Sequence, residues 1–129
     1  MDVKEFLMKD RFAEMLGIQL LEAGNGKAKA KMELHDEHMN AVDIAQGGAI
    51  FSLADLTLAA AANSQGKVAV AVNVNISFVK AAGKGTLFAE AFETSQSIKL
   101  ATYTINITNS EGDLVACAQG MVYRKEKTF

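Results

Sequence analysis

Residues 40–63 read NAVDIAQGGAIFSLADLTLAAAAN, and the fold turns on how they are read. Gly47-Gly48 opens a nearly unbroken apolar run of helix formers that closes at Asn63, just before Ser64-Gln65-Gly66. The pattern predicts one buried helix with a glycine start and a turn at Gly66. A helix that is apolar nearly all round belongs to a protein core or to a membrane span. Roughly 16 residues fall short of the ~20 that a span needs, and Asp55 sits in the middle, so a core helix is expected. A carboxylate in such a helix needs a partner or a task.

At about 100° per residue, Gly48, Ser52, Asp55, Ala59 and Asn63 share a narrow stripe of small and polar side chains. Ile50, Phe51, Leu53 and Leu58 make up the broad apolar side. A small-and-polar stripe suggests a cleft or a second subunit. The alternative is that Asp55 accepts hydrogen bonds from Ser52 or a neighbouring strand and only fixes register. Gly47-Gly48 also admits two readings. The first turn of a helix offers unpaired N–H groups and a positive dipole end, which can hold a carbonyl oxygen gaining negative charge. Two glycines also simply permit a tight entry into the helix. Gly47 and Asp55 are eight residues apart. That is roughly 12 Å along the axis, so one reacting carbonyl cannot touch both. If both act, they come from different copies of the chain, and the site is shared across an oligomer interface.

Upstream, Val3, Phe6, Leu7, Met8, Phe12, Met15 and Leu16 fall at helical spacing. They predict a short amphipathic N-terminal helix with a break near Asp10 and a stop at Gly17. Residues 18–23 read as a strand and Gly24-Asn25-Gly26 as a turn. Residues 27–34 alternate charged with apolar side chains, as a hairpin partner with one solvated face does. A polar loop, residues 35–45, then leads to the long helix. Downstream, residues 68–79, 86–94, 99–108 and 114–124 read as strands separated by turn signals. Hairpins would make these four antiparallel neighbours in a meander. In the first of them Val68, Val70, Val72, Val74, Ile76 and Phe78 share a face. The fold class expected is α+β: one long central helix on a curved antiparallel sheet of five to six strands. Residues 1–129 are expected to form a single domain.

The net charge of −2 and the absence of a basic block leave nucleic-acid binding without support. Cys117 is the only cysteine, which excludes an intrachain disulfide or a multi-Cys metal site. It reads as a buried structural thiol, and a reduced cytoplasmic location is expected. Charges among the first ten residues break any signal-peptide core, and no membrane partner is expected. His35 and His38 read as solvated loop residues, not as a metal site. No phosphate-binding glycine loop or Ser-elbow motif occurs, and a Ser-His-Asp triad has poor support. Asn40 reads as a turn stabiliser or as an amide that holds a water or a carbonyl.

The spacing from Asn40 through Gln46-Gly47-Gly48 to Ser52-Leu53-Ala54-Asp55 resembles the signature of hotdog-fold acyl-CoA thioesterases. The resemblance is strongest to the phenylacetic-acid-degradation (PaaI-type) group: an Asn, then His-Gly-Gly six residues on, then a helix reading roughly "ifsLaD". Asn63-Ser64-Gln65-Gly66 is similar to members of that group as well. The resemblance implies a long helix wrapped by a curved sheet, with sites between subunits of a homodimer or homotetramer. It implies an acyl-CoA substrate with an aromatic or medium-chain acyl group, and no cofactor. It further implies Asp55 as nucleophile or general base, Gly47 as the backbone donor to the thioester carbonyl, and Asn40 as the group positioning thioester or water. Gln46, Gly48 and Ser52 would contact substrate. The histidine of the family pattern is Gln46 here, which keeps an amide donor but carries no proton near neutral pH. That departure keeps open a second reading, a non-catalytic acyl-thioester-binding or scaffold protein. A hotdog hydratase would need a His paired with an acid, and neither histidine is placed for it. Lys80, Lys84 and Lys99 are the lysines expected to meet the CoA phosphates.

Overall fold

The computed structural model describes residues 2–128. The amphipathic N-terminal stretch forms two helices, α1 (Val3–Leu7) and α2 (Arg11–Leu16). Each starts at an aspartate that accepts a first-turn N–H: Asp2 from Glu5 at 2.8 Å and Asp10 from Ala13 at 3.0 Å. Asp10 is therefore both the break and the cap of α2. Gly17 ends α2 in the left-handed region, with φ 78°. Strands β1 (Ile18–Gly24) and β2 (Lys27–Leu34) are joined through Asn25 and Gly26, at φ 53° and 78°. Such a left-handed pair matches the twist of a tight hairpin.

The long helix, α3 (Gly47–Asn63), has the predicted bounds. Leu53, Ala54, Leu58, Ala60 and Ala61 are buried against the sheet. Buried Thr57 avoids an unpaired hydroxyl by donating to the Leu53 carbonyl at 2.7 Å. At its C-terminal end Asn63 is also buried. Its amide donates to the Ala59 and Ala69 carbonyls at 2.8 and 3.3 Å and accepts the Ala69 N–H at 2.9 Å. Ser64 donates to Ala61 at 2.7 Å and accepts from Gly26 of the β1–β2 hairpin at 2.9 Å.

Strands β3 (Lys67–Phe78), β4 (Gly85–Gln96), β5 (Leu100–Asn109) and β6 (Leu114–Thr128) complete one antiparallel sheet of six strands. Its order, β1-β2-β4-β5-β6-β3, corrects the expected meander. β4 pairs with β2, while β3 lies at the far edge and pairs only with β6. The reason lies in the connection after Phe78. The Val79 and Lys80 N–H groups both donate to the Val115 carbonyl, at 2.9 and 3.2 Å, and the Ala82 carbonyl accepts from Ala45 at 2.8 Å. Those groups are tied to β6 and to the loop before α3, so β3 and β4 cannot close a hairpin across them.

Alternation in β2 works as predicted: Ala28, Ala30, Met32 and Leu34 are buried. Ala101, Tyr103, Ile105 and Ile107 do the same in β5. The valine face of β3 does not. Only Val74 and Ile76 of its later residues pack on the core, whereas Val70 and Val72 are 41% and 55% exposed. β3 is an edge strand whose register slips between Ala71 and Asn73, and its outer half, residues 67–72, leaves Val70 and Val72 open. Cys117 is half-buried, not buried, because Ala116 and Ala118 take the helix side of β6. Gly120 in β6 sets how deeply α3 lies: a Cβ there would stand 2.6 Å from Leu58 Cδ2.

Candidate active site

The loop before α3 is rigid for local reasons. The side-chain carbonyl of Asn40 accepts from the Val42 and Ile44 N–H groups, at 3.0 and 3.2 Å, and Asp43 takes φ 62°. The turn-stabilising reading of Asn40 is therefore correct for its oxygen. Its amide nitrogen donates to no group among the described residues and remains available. His38 corrects the expectation of a solvated loop histidine, being 3% exposed. Its Nδ1 accepts from the His35 N–H and its Nε2 donates to the Leu16 carbonyl, both at 2.8 Å. A backbone N–H on one side and a backbone carbonyl on the other occupy both ring nitrogens. His38 thus fastens the loop to the end of α2, and its carbonyl takes the Gln46 N–H at 2.8 Å.

Gln46 is the cap of α3. Its side-chain oxygen accepts the N–H of Gly48, and its backbone carbonyl accepts those of Ala49 and Ile50. The Gly47 N–H donates to nothing among the described residues. It is a half-exposed donor at the positive end of a helix of 17 residues. One side chain that the sequence did not single out lies over it. A Cβ on Gly47 would stand 3.2 Å from Phe78 Cζ, so the tip of that ring touches the glycine. Phe78 is half-exposed, at the end of β3.

Asp55 lies two turns further along α3, on its open side. Gly48, Ser52, Asp55 and Ala59 are at least partly accessible, and only Asn63 of the predicted stripe turns inward. Ser52 donates to the Gly48 carbonyl at 2.7 Å and leaves Asp55 alone. Among the described residues, nothing donates a hydrogen bond to the Asp55 carboxylate or pairs with it. The register-fixing alternative fails on that point. Partial desolvation pushes the Asp55 carboxyl above its ordinary value, and the negative charge of Asp10 adds to the shift. Asp10 is the second residue that the sequence did not mark: it reads there only as a helix break.

An unpaired carboxylate of raised basicity can take a proton from water or attack a carbonyl directly. An unpaired N–H at a helix start can bind an oxygen that is gaining charge. Eight residues of helix separate the two, roughly 12 Å, so one carbonyl cannot touch both within one chain. Lys80 and Lys84 line one shallow cleft, but each is engaged, with Asp113 and Asp36 respectively, at 2.7 Å. Lys99 follows the opposite end of β4, more than ~30 Å of strand from Lys84. The three lysines of one chain therefore cannot meet one ligand phosphate.

The sequence pattern of the thioesterase superfamily matches residues 44–116. A putative esterase of Archaeoglobus fulgidus is 45% identical over 129 residues, covering 98% of this chain and 84% of its relative. The acyl-coenzyme A thioesterase PaaI of Escherichia coli is 35% identical over 116 residues, 89% of this chain and 83% of that protein. The solved structure of the E. coli PaaI protein superposes with a TM-score of 0.93, over 96% of this chain and 91% of that one.

Proposed function

This chain belongs to the thioesterase superfamily as a PaaI-type hotdog thioester hydrolase, and from that membership we propose that it hydrolyses acyl-CoA. The preferred acyl group is aromatic or of medium chain length. The observation that carries the reading is the pair of unpartnered groups on α3: a carboxylate, Asp55, and a backbone donor, Gly47, too far apart to serve one carbonyl within one chain. Two copies of the chain arranged about a two-fold axis bring Asp55 of one to Gly47 of the partner subunit, which makes the active form a homodimer or a dimer of dimers. The exposed outer half of β3 and the open stripe of α3 are the surfaces free to meet.

In that arrangement the thioester oxygen accepts from the Gly47 N–H, and the helix dipole stabilises the charge it gains. Phe78 walls the slot and keeps bulk water from competing for that donor. Asn40 offers its free amide to the thioester or to the attacking water. Asp55 either takes a proton from the water as it adds to the carbonyl or adds to the carbonyl itself. Collapse of the adduct breaks the C–S bond, and CoA leaves as the thiolate; on the first route the carboxylic acid is then free, and on the second water hydrolyses the Asp55 anhydride, releasing the acid and restoring the carboxylate. Gln46, Gly48 and Ser52 shape the floor; none of them needs to titrate, because Gln46 serves by capping the helix that presents Gly47.

Relatives named as acyl-CoA thioesterases do not favour the non-catalytic reading. Among the described residues no helix is long and apolar enough to cross a membrane. A reducing cytoplasm suits both the lone Cys117 and a CoA thiol product. The test is thiol release over a panel of acyl-CoAs, with Asp55→Ala in parallel. Hydrolysis by the unaltered protein and its collapse in the variant are expected; a fully active Asp55→Ala would sink the assignment.

A further inference from the structure

His38 is buried, 3% exposed, yet it takes no part in the chemistry described above. Its Nδ1 accepts from the N–H of His35, three residues back, and its Nε2 donates to the carbonyl of Leu16, the last residue of α2. Carbonyls in the last turn of a helix have no partner within it, so the ring closes the end of α2 from outside. Behind the ring, the backbone leads straight to the site. The His38 carbonyl accepts the Gln46 N–H at 2.8 Å, Met39 and Ala45 form an antiparallel bridge, and the Asn40 N–H donates to the Ile44 carbonyl at 2.8 Å. Residues 38–46 thus close on themselves. His38 stands two residues before Asn40 and is bonded to the residue before Gly47. From outside, this loop is held at Ala45 by the Ala82 carbonyl and at His38 by the Leu16 carbonyl.

We propose that His38 is a positioning residue for the oxyanion half-site: through the Leu16 carbonyl it makes the end of α2 the support that sets where the Gly47 N–H and the Asn40 amide stand. The inference rests on the thioesterase reading and adds a residue that touches neither thioester nor water. A loop tied at one point can pivot about it, whereas ties to two different elements fix both its place and its tilt. Misplacing a reacting group by about 1 Å can cost a hundredfold in rate. Histidine suits the task because its two nitrogens lie on opposite edges of one rigid ring. One caps the loop from within, and the other ties it to α2. Substitution separates the two. Asn sets an amide oxygen near the place of Nδ1 but cannot reach Leu16, while Gln sets an amide N–H near the place of Nε2 and restores the tie.

The experiment measures thiol release from hexanoyl-, decanoyl- and phenylacetyl-CoA by the unaltered protein, His38→Asn and His38→Gln, per folded molecule as read by circular dichroism. Trimethylamine N-oxide is added to all three where a variant needs it to stay folded. His38→Asn is expected to lose about tenfold or more in kcat with KM within about threefold, the signature of an interaction made only in the transition state. His38→Gln is expected to recover kcat to within about threefold of the unaltered protein, although it melts lower for want of the acceptor to His35. A purely structural histidine would lower both melting temperatures and leave kcat per folded molecule unmoved. Equal kcat in the two variants, a loss confined to KM, or a His38→Asn chain that does not fold even with the osmolyte overturns the positioning role while the thioesterase reading stands. No thiol release from any of these acyl-CoAs by the unaltered protein overturns that reading, and the positioning role with it.

Discussion

The two ends of α3 are built to opposite rules. At the C-terminal end, buried Asn63 uses its amide three times and Ser64 its hydroxyl twice, tying the helix to β3 and to the β1–β2 hairpin. At the N-terminal end Gln46 caps the Gly48 N–H, and the Gly47 N–H before it is left without a partner among the described residues. Buried polar groups are costly unless satisfied. One end therefore uses both of these side chains for stability, and the other holds back a donor at the surface. Asp55, between them, follows the rule of the open end. The difference separates what makes this helix stay in place from what makes it react.

Substitutions should split along that line. The largest effect is expected at Asp55: Asp55→Asn should cut the acyl-CoA turnover rate by about a hundred- to ten-thousand-fold, the range for a positioned acid–base group. Its effect on stability has the opposite sign. The folded-state pKa of Asp55 lies above the ordinary 3.8. Its favourable share of stability is therefore present in full below that value and is lost as pH rises through the folded value. At neutral pH the Asn variant should be the more stable protein by thermal melting, and the advantage should vanish in acid. The acid limb of the pH–kcat/KM profile of the unaltered protein should also lie above the ordinary carboxylate range.

Asn63→Ala should do the reverse. About 3 kcal/mol of stability should be lost in urea denaturation, because the Ala69 N–H is left buried without an acceptor. Turnover by the folded fraction should be kept; a selective loss of rate would erase the contrast between the two ends. Gly47→Ala comes next, with a loss of about tenfold in kcat/KM, as the added methyl and the Phe78 ring push the oxyanion donor out of line. Phe78→Ala in the same chain should return part of that loss, and a double-mutant cycle measures the coupling. Strict additivity would mean that the glycine is not there for the ring. Gln46→Ala should have the smallest effect, about 1 kcal/mol of stability from the lost cap. Differential scanning calorimetry checks it, and a rate within a few-fold of the unaltered protein would show that this side chain carries no proton.

Much of this was legible in local pattern. The bounds of α3, the alternation in β2 and the break at Asp10 all follow from residues a few positions apart, where periodicity and capping act. The course of β3 was not. The connection after Phe78 reads like a hairpin, but Val115 and Ala45 claim its backbone groups, and both lie far away in sequence. The burial of His38 has the same cause, since its acceptor is the carbonyl of Leu16, 22 residues upstream. In the site, Asp55 and Gly47 could be singled out because they break the rule of their own helix. Phe78 obeys the rule of its strand, so only the packing of β3 against the start of α3 reveals it.

Gly120 has a consequence for how activity could drift. It acts as a depth stop, because the space its missing side chain leaves is filled by Leu58. Leu58 lies eleven residues from Gly47 and three from Asp55, on the same helix. A side chain at position 120 must displace the Leu58 methyls, about one turn of helix from Asp55 and ~16 Å along the axis from Gly47. A substitution in β6 therefore acts on the helix that carries Asp55 through the sheet face on which that helix packs, at a buried glycine remote in sequence from both Asp55 and Gly47.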